Sequence, residues 1–70
     1  MRVLATVRLP SGMRYRLADL EEYDGLASGP FTVEEPATDS DTGGEVWLTV
    51  GSAETYGLAT AMWAAIVGAR

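Results

Sequence analysis

Apolar and polar residues alternate along two neighbouring segments near the start of the chain, residues 2–9 and 13–17. An alternation with a period of two residues is typical of half-buried β-strands. Between them, Pro10, Ser11 and Gly12 favour a tight turn, because glycine readily adopts a positive φ. The pattern therefore predicts an antiparallel hairpin.

The turn also predicts the register of this hairpin, since a slip of one residue would move every side chain to the other face. Pairing Leu9 with Met13 brings the apolar residues of both strands to one face. Arg8 then lies directly opposite Arg14, an unfavourable contact between like charges unless an anion lies between them. The remaining pairs predicted by this register are Val7 with Tyr15, Ala5 with Leu17, and Thr6 with Arg16.

Two further strands are predicted, at residues 31–35 and 45–50. Pro30 and Pro36 flank the first of them, which favours a short strand at the edge of the sheet. Residues 36–44 are polar and predict a surface loop.

Two helical segments are predicted. Residues 19–25 favour a single short turn with Asp19 as its N-cap and Gly25 at its end. Residues 53–68 predict the C-terminal helix, with Ser52 as N-cap and Glu54 placed favourably for the helix dipole. A broad apolar stripe on this helix is suited to covering a sheet; it consists of Tyr56, Ala59, Met62, Trp63, Ile66 and Val67.

The same helix carries a second stripe, of small residues: Gly57, Ala61, Ala64 and Gly68. Small side chains let another backbone approach closely, and a helix without charge on any face is normally buried on every face. One small sheet cannot surround it. The sequence therefore predicts that these four residues form a dimer interface with a second copy or a contact with another protein.

Together the elements predict one α+β domain spanning residues 1–70. Its antiparallel sheet of three or four strands, comprising the hairpin, a short edge strand and a fourth strand, packs against one C-terminal helix. The predicted core consists of Val3, Ala5, Val7, Leu9, Tyr15, Leu17, Phe31, Val33, Val46, Leu48, Val50, Tyr56, Ala59, Met62, Trp63 and Ile66.

Charge is segregated along the chain, whose net charge is −5. Residues 1–18 hold four arginines and no acid, whereas residues 19–54 hold all ten acids and no base. So many carboxylates could imitate a phosphate backbone toward a protein with a basic surface; solubility is the simpler explanation. The predicted partner-binding residues are Asp19, Glu21, Glu22, Asp24, Glu34, Glu35, Asp39, Asp41 and Glu45.

The arginines offer an alternative site. Arg8, Arg14 and Arg16, with Trp47 on the same side of the sheet, would suit an anion or a nucleic acid, because arginine neutralises phosphate and indole stacks on bases. The net acidity of the chain argues against this interpretation. The simpler hypothesis is that these arginines pair with the chain's own carboxylates between residues 19 and 45.

Composition excludes most catalytic chemistry. The chain has no cysteine, histidine or lysine, which removes imidazole triads, thiolate nucleophiles and Schiff bases. Neighbouring acids such as Glu34 and Glu35 point to opposite faces of a strand and would not act on one substrate. The loop at residues 39–44 resembles the start of a calcium loop, but Val50 stands where its final ligand belongs. We expect no enzyme, no cofactor and no metal site.

In size, acidity and layout the chain resembles the small inhibitors that phages use against host defence systems, and residues 45–70 resemble a nucleoid-protein dimerisation segment. These resemblances carry no motif and imply no role for any residue. The first functional hypothesis is an acidic inhibitor that blocks a nucleic-acid-handling protein. The alternatives are a homo-oligomeric structural or scaffolding module that assembles through its C-terminal helix and a protein that binds nucleic acid through the arginine-rich hairpin. With neither a signal-like start nor an apolar run of membrane length, the expected location is the cytoplasm, away from membranes.

Overall fold

The computed structural model describes residues 1–22, 25 and 28–69. In these residues it contains four strands and one helix: β1 (Arg2–Arg8), β2 (Arg14–Asp19), β3 (Phe31–Thr38), β4 (Glu45–Ala53) and α1 (Tyr56–Gly68). The strands form one sheet in the order β1-β2-β3-β4, with each neighbouring pair antiparallel. Because α1 packs on one face of this sheet, the predicted α+β fold is confirmed.

The predicted hairpin register is confirmed in all its pairs from Arg8 with Arg14 to Ala5 with Leu17. Its turn is closed by the Leu9 N–H, which donates to the Met13 carbonyl at 2.8 Å, and Gly12 has a φ of 93°. Beyond Ala5 the register shifts, so that Val3 pairs with Ala18. This bulge turns Leu4 toward the core and leaves Val3 44% exposed, which corrects the prediction that Val3 is a core residue.

Strand β3 is longer than predicted and lies inside the sheet, which corrects its assignment to the edge. Pro36 lies within it, where it pairs with Trp47 of β4. Proline is tolerated there because the β2–β3 pairing reaches only as far as Arg16 with Glu34. At Pro36 one side of β3 is therefore unpaired and needs no N–H donor.

The helix begins three residues later than predicted. Strand pairing continues to Ala53, opposite Phe31, so Ser52 belongs to β4 and is not the N-cap. Thr55 is the N-cap instead, and its hydroxyl accepts the Leu58 N–H at 3.2 Å.

The predicted helical turn at residues 19–25 is not supported at its start, because Asp19 is the last residue of β2. Its carboxylate accepts the N–H of Glu21, which has a φ of 64°. Tyr23 and Asp24, on which the rest of that prediction falls, lie outside the described residues.

The core lies between α1 and one face of the sheet. Its buried members are Tyr15, Leu17, Val33, Ala53 and Ala59, and the helix adds Met62, Trp63, Ile66 and Val67 around them. Gly51 allows α1 to lie close to β4, since a Cβ at this position would be 2.6 Å from the Met62 sulfur.

Besides Val3, three further predicted core residues are exposed: Val46 at 42%, Leu48 at 52% and Tyr56 at 55%. Because α1 packs over Gly51 at the far half of β4, it leaves the first half of that strand uncovered. Tyr56 stands at the start of the helix, where its ring meets the edge of Phe31 at 6.1 Å.

Candidate functional site

The face of the sheet opposite the helix carries arginines and carboxylates from neighbouring strands. Strand alternation and register place Arg14 and Arg16 of β2, Glu34 of β3, and Glu45 and Trp47 of β4 on this side. We call these five residues the arginine face. Trp47 thus lies beside the two arginines, on the same side of the sheet, as the alternative anion or nucleic-acid site requires.

Arg16 is at the centre of the arginine face. Its Nε donates to Glu34 Oε1 at 2.6 Å, and the two side chains are only 15% and 9% exposed. Its guanidinium also lies over the Trp47 ring, 4.2 Å from the ring centroid. Cation–π contact and a charge-assisted hydrogen bond therefore hold one guanidinium in a largely dry environment.

Arg14 makes a similar pair closer to solvent. One of its terminal nitrogens donates to both carboxylate oxygens of Glu45 at 2.9 Å, and both side chains are about half exposed. Arg2 also pairs with Asp19, at 3.6 Å. Among the described residues Arg8 is the arginine without an ion pair. Arg14 and Arg16 are thus paired within the chain, whereas Arg8, opposite Arg14 in the ladder, lies on the same side of the sheet without such a pair in the described part of the chain.

A shallow depression of about 230 Å³ borders this face. Small-molecule sites usually enclose roughly 300–1,000 Å³ and are mostly apolar. The depression is smaller and open, and the Arg14–Glu45 pair occupies part of its wall. Its lining residues are Gly12, Met13, Arg14, Pro36, Ala37, Thr38 and Glu45.

The acids that were predicted to bind a partner do not share one environment. Asp19, Glu34 and Glu45 face arginines, and Glu21 lies 3.2 Å from the N-terminal amine. Glu35 follows Glu34 along β3 and therefore points to the helix side of the sheet.

The remaining acids lie in loops. Glu22 and Asp41 are exposed, and Asp24 is outside the described residues. Asp39 accepts the Asp41 N–H at 2.8 Å and so holds its own loop. Within the described ranges no three acids are grouped closely enough to hold a metal ion.

The outward side of α1 forms a second candidate surface. Gly57, Ala61, Ala64 and Gly68 are all exposed, so the structure places the four predicted interface residues on one accessible side. With about 100° of rotation per residue, Leu58 and Ala65 fall on the same arc. We call these six residues the outer helix face. It contains no charge, and Leu58 is 60% exposed.

The sequence interpretation missed two members of this face and one further exposed segment. Leu58 and Ala65 lie three and four residues from Ala61, so a helical projection centred on Ala61 includes them. The uncovered half of β4, with Val46 and Leu48, gives no such signal, because its alternation is that of a half-buried strand.

In the part of the chain that the structure describes, no helix has the length and apolar character needed to cross a membrane. No protein-family model matches the chain, and no curated protein or solved structure matches it with significant similarity.

Proposed function

We propose that the chain is a non-catalytic protein-binding module that associates with a second copy of itself through the outer helix face. The observation that carries this proposal is the exposure of Leu58, at 60%, on a helix without a charged residue between Tyr56 and Ala69. Covering apolar surface of this kind with another surface lowers the free energy, because it removes that surface from water.

A second copy is the occupant that best fits the arrangement of side chains. If two helices cross antiparallel at Ala61, residues equally far from this centre meet across the two-fold axis. Leu58 then meets Ala64 of the second copy, and Gly57 meets Ala65. Each of these contacts includes at least one small residue, so the two helices can approach closely.

Electrostatics favour the same contact. Each copy has a net charge of −5, so two copies repel each other at most orientations. The outer helix face has no charge of its own, and pairing there removes no carboxylate from water.

The test is the Ala61→Glu substitution, followed by sedimentation velocity over a range of chain concentrations. A carboxylate at the centre of the interface would be buried beside its counterpart, so we expect a marked loss of associated species. Ser40→Glu is the matched control, because it makes the same change in charge at an exposed loop residue. It should leave association unchanged.

Association that is equally strong in the Ala61→Glu protein would overturn the proposed function, and so would a wild-type chain that stays monomeric at millimolar concentration. Circular dichroism of each variant checks that the fold is retained. The exposed position of Ala61 makes retention of the fold the expected result.

An acidic docking surface is the second candidate. Glu22, Asp41 and Glu54 support it, since all three are exposed and have no ion pair among the described residues. A basic, nucleic-acid-binding protein would be its partner. Binding should then weaken steeply with salt and compete with DNA; binding that is unchanged when these three acids become serine contradicts it.

Direct nucleic-acid binding through Arg8, Arg14, Arg16 and Trp47 is less favoured. Two of the three guanidinium groups are already held by carboxylates, and a phosphate would have to displace them. A mobility shift at low salt that is lost on Arg14→Ala would support it instead.

A further inference from the structure

The two edges of the sheet differ in how well they are protected from pairing with another strand. Within the described residues, β1 and β4 are the edge strands. An unpaired edge offers free backbone N–H and C=O groups to another chain, and natural proteins often protect it with charges and bulges. Strand β1 has both protections, namely Arg2, Arg8 and the bulge at Leu4.

Strand β4 has far less protection. Its only charged residue is Glu45, at its first position, and no charge follows as far as Ala53. Val46 and Leu48 point to the helix side but lie beyond the cover of α1, at 42% and 52% exposed. The strand therefore offers free backbone groups and exposed apolar side chains together.

The register with β3 limits which part of β4 can pair regularly. From Glu45 to Thr49 each residue has one partner on β3, whereas Val50 is an extra residue between the partners of Glu34 and Val33. This bulge disrupts the regular ladder. Five residues remain as a regular segment, and Trp47 is its midpoint.

We propose that β4 pairs antiparallel with β4 of a second copy, centred on Trp47, so that the two sheets join into one. This places Val46 opposite Leu48 of the second copy on the helix side, which covers both exposed side chains. Glu45 lies opposite Thr49, so no like charges face each other. The two Trp47 side chains meet on the arginine face.

This pairing rests on the proposed function only in its choice of a second copy as occupant. The strand contact and the outer helix face lie on different parts of the chain, and each is a two-fold contact. A chain with two different two-fold contacts links more than two copies. The combined result is an assembly larger than a dimer, as a structural or scaffolding module requires.

Two charge-introducing variants separate the two contacts: Ala61→Glu for the helix contact and Leu48→Lys for the strand contact. Leu48→Lys puts an ammonium group into the strand contact. The fold should tolerate it, because Leu48 is exposed and its ladder partner Glu35 can form an ion pair with the lysine. Val3→Lys is the matched control on β1, at a residue that is 44% exposed. Circular dichroism establishes that each variant keeps its fold.

Sedimentation velocity is then measured for the wild type, Ala61→Glu, Leu48→Lys and the double variant. We expect species larger than a dimer for the wild type, a dimer for each single variant, and a monomer for the double variant. A mass unchanged by Leu48→Lys but reduced by Ala61→Glu overturns the strand contact alone. The reverse result overturns the helix contact and retains the strand contact.

Disulfide trapping tests the register and does not depend on charge. The chain has no cysteine, so introduced thiols are the only ones present. Val46→Cys and Leu48→Cys chains, mixed and oxidised, should cross-link to each other, because directly opposed residues lie within disulfide reach. Neither chain should cross-link efficiently to itself. Self-cross-linking of Leu48→Cys that equals the mixed product overturns the centring on Trp47.

Discussion

The arginine face and the outer helix face differ in how far contacts within the chain satisfy their side chains. On the arginine face Arg14 and Arg16 are both met by carboxylates of other strands, and Trp47 lies against them. On the outer helix face Leu58 is 60% exposed, and its small neighbours are exposed as well. Charges that are separated in the sequence are thus reunited by folding, whereas part of the apolar surface is left uncovered.

This difference is the reason why we propose a partner for the outer helix face and not for the arginine face. A face whose charges are already paired gains little from an external ion, because binding would first break existing contacts. A face that is apolar and exposed gains from any surface that excludes water. Segregated charge in the sequence is therefore a weaker indication of a binding site here than the uncharged helix.

The largest effect is expected from Arg16→Met, which removes one partner of the most buried ion pair. Glu34, 9% exposed on its side chain, is then left without its cation. Breaking a buried pair in this way costs about 3–5 kcal/mol. Since small domains have only ~0.05–0.15 kcal/mol of stability per residue, the variant should be largely unfolded in mild urea. Urea titration followed by circular dichroism measures the loss.

The companion variant Arg16→Met with Glu34→Leu checks the cause. Removing both charges leaves no unpaired group, so the double variant should recover most of the lost free energy of unfolding. If it is no more stable than Arg16→Met alone, packing against Trp47 rather than the ion pair explains the loss.

A smaller effect is expected on the helix side from Gly51→Val. Valine suits a strand, but the Met62 sulfur would lie 2.6 Å from the new Cβ and the Ile66 Cδ1 3.3 Å from it, so both side chains would have to shift. Overpacking of this kind costs about 1–3 kcal/mol. The same urea titration measures this cost.

The Met62→Ala background provides the control, because it removes the Met62 sulfur. There Gly51→Val should lower the free energy of unfolding clearly less, since the Ile66 Cδ1, 3.3 Å from the new Cβ, is then the one close neighbour that remains. A loss of the same size in both backgrounds would show that Met62 is not what restricts residue 51.

Some of the fold follows directly from the sequence. The short turn at Gly12 and the apolar alternation around it specify the hairpin register, since the turn limits which residues can pair and a slip of one residue would move the apolar side chains to the other face. The uncharged helix is equally clear from the sequence; Gly57 and Ala61 are exposed on it, and their role in an interface stays a prediction.

Other features depend on contacts that the local pattern does not contain. Pro36 indicated an edge, but it lies where β2 has already ended, so an inner strand can accept it. The helix start was misplaced because pairing with Phe31 keeps Ser52 and Ala53 in the strand. Tertiary pairing overrides a good N-cap residue in such cases.

The arginine pairs were anticipated only in kind. The sequence favours pairing between the basic hairpin and the acids that follow, but the partners of each arginine depend on the β2–β3 and β3–β4 registers. Arg16 lies opposite Glu34 on the neighbouring strand, whereas Arg14 reaches Glu45 from two strands away. Neither distance can be derived from spacing along the chain.

The smallest effect is expected from Arg14→Ala. This substitution removes the Arg14–Glu45 ion pair, the more exposed of the two ion pairs on the arginine face. Arg14 is 45% exposed and Glu45 59%, so water screens the attraction and the loss should be about 0.2–1 kcal/mol. Arg8→Ala is the control. Arg8 faces Arg14 across the ladder and has no ion pair among the described residues, so its removal should leave stability unchanged or raise it slightly.

Salt separates the Arg14 pair from the Arg16 pair. At about 1 M salt, where screening acts over roughly 3 Å, the effect of Arg14→Ala should shrink toward zero. The effect of Arg16→Met should persist, because the Glu34 carboxylate stays buried whatever the ionic strength. Equal salt dependence of the two would mean that solvent reaches both pairs alike, and the arginine face would then be as open to external ions as its exposed rim.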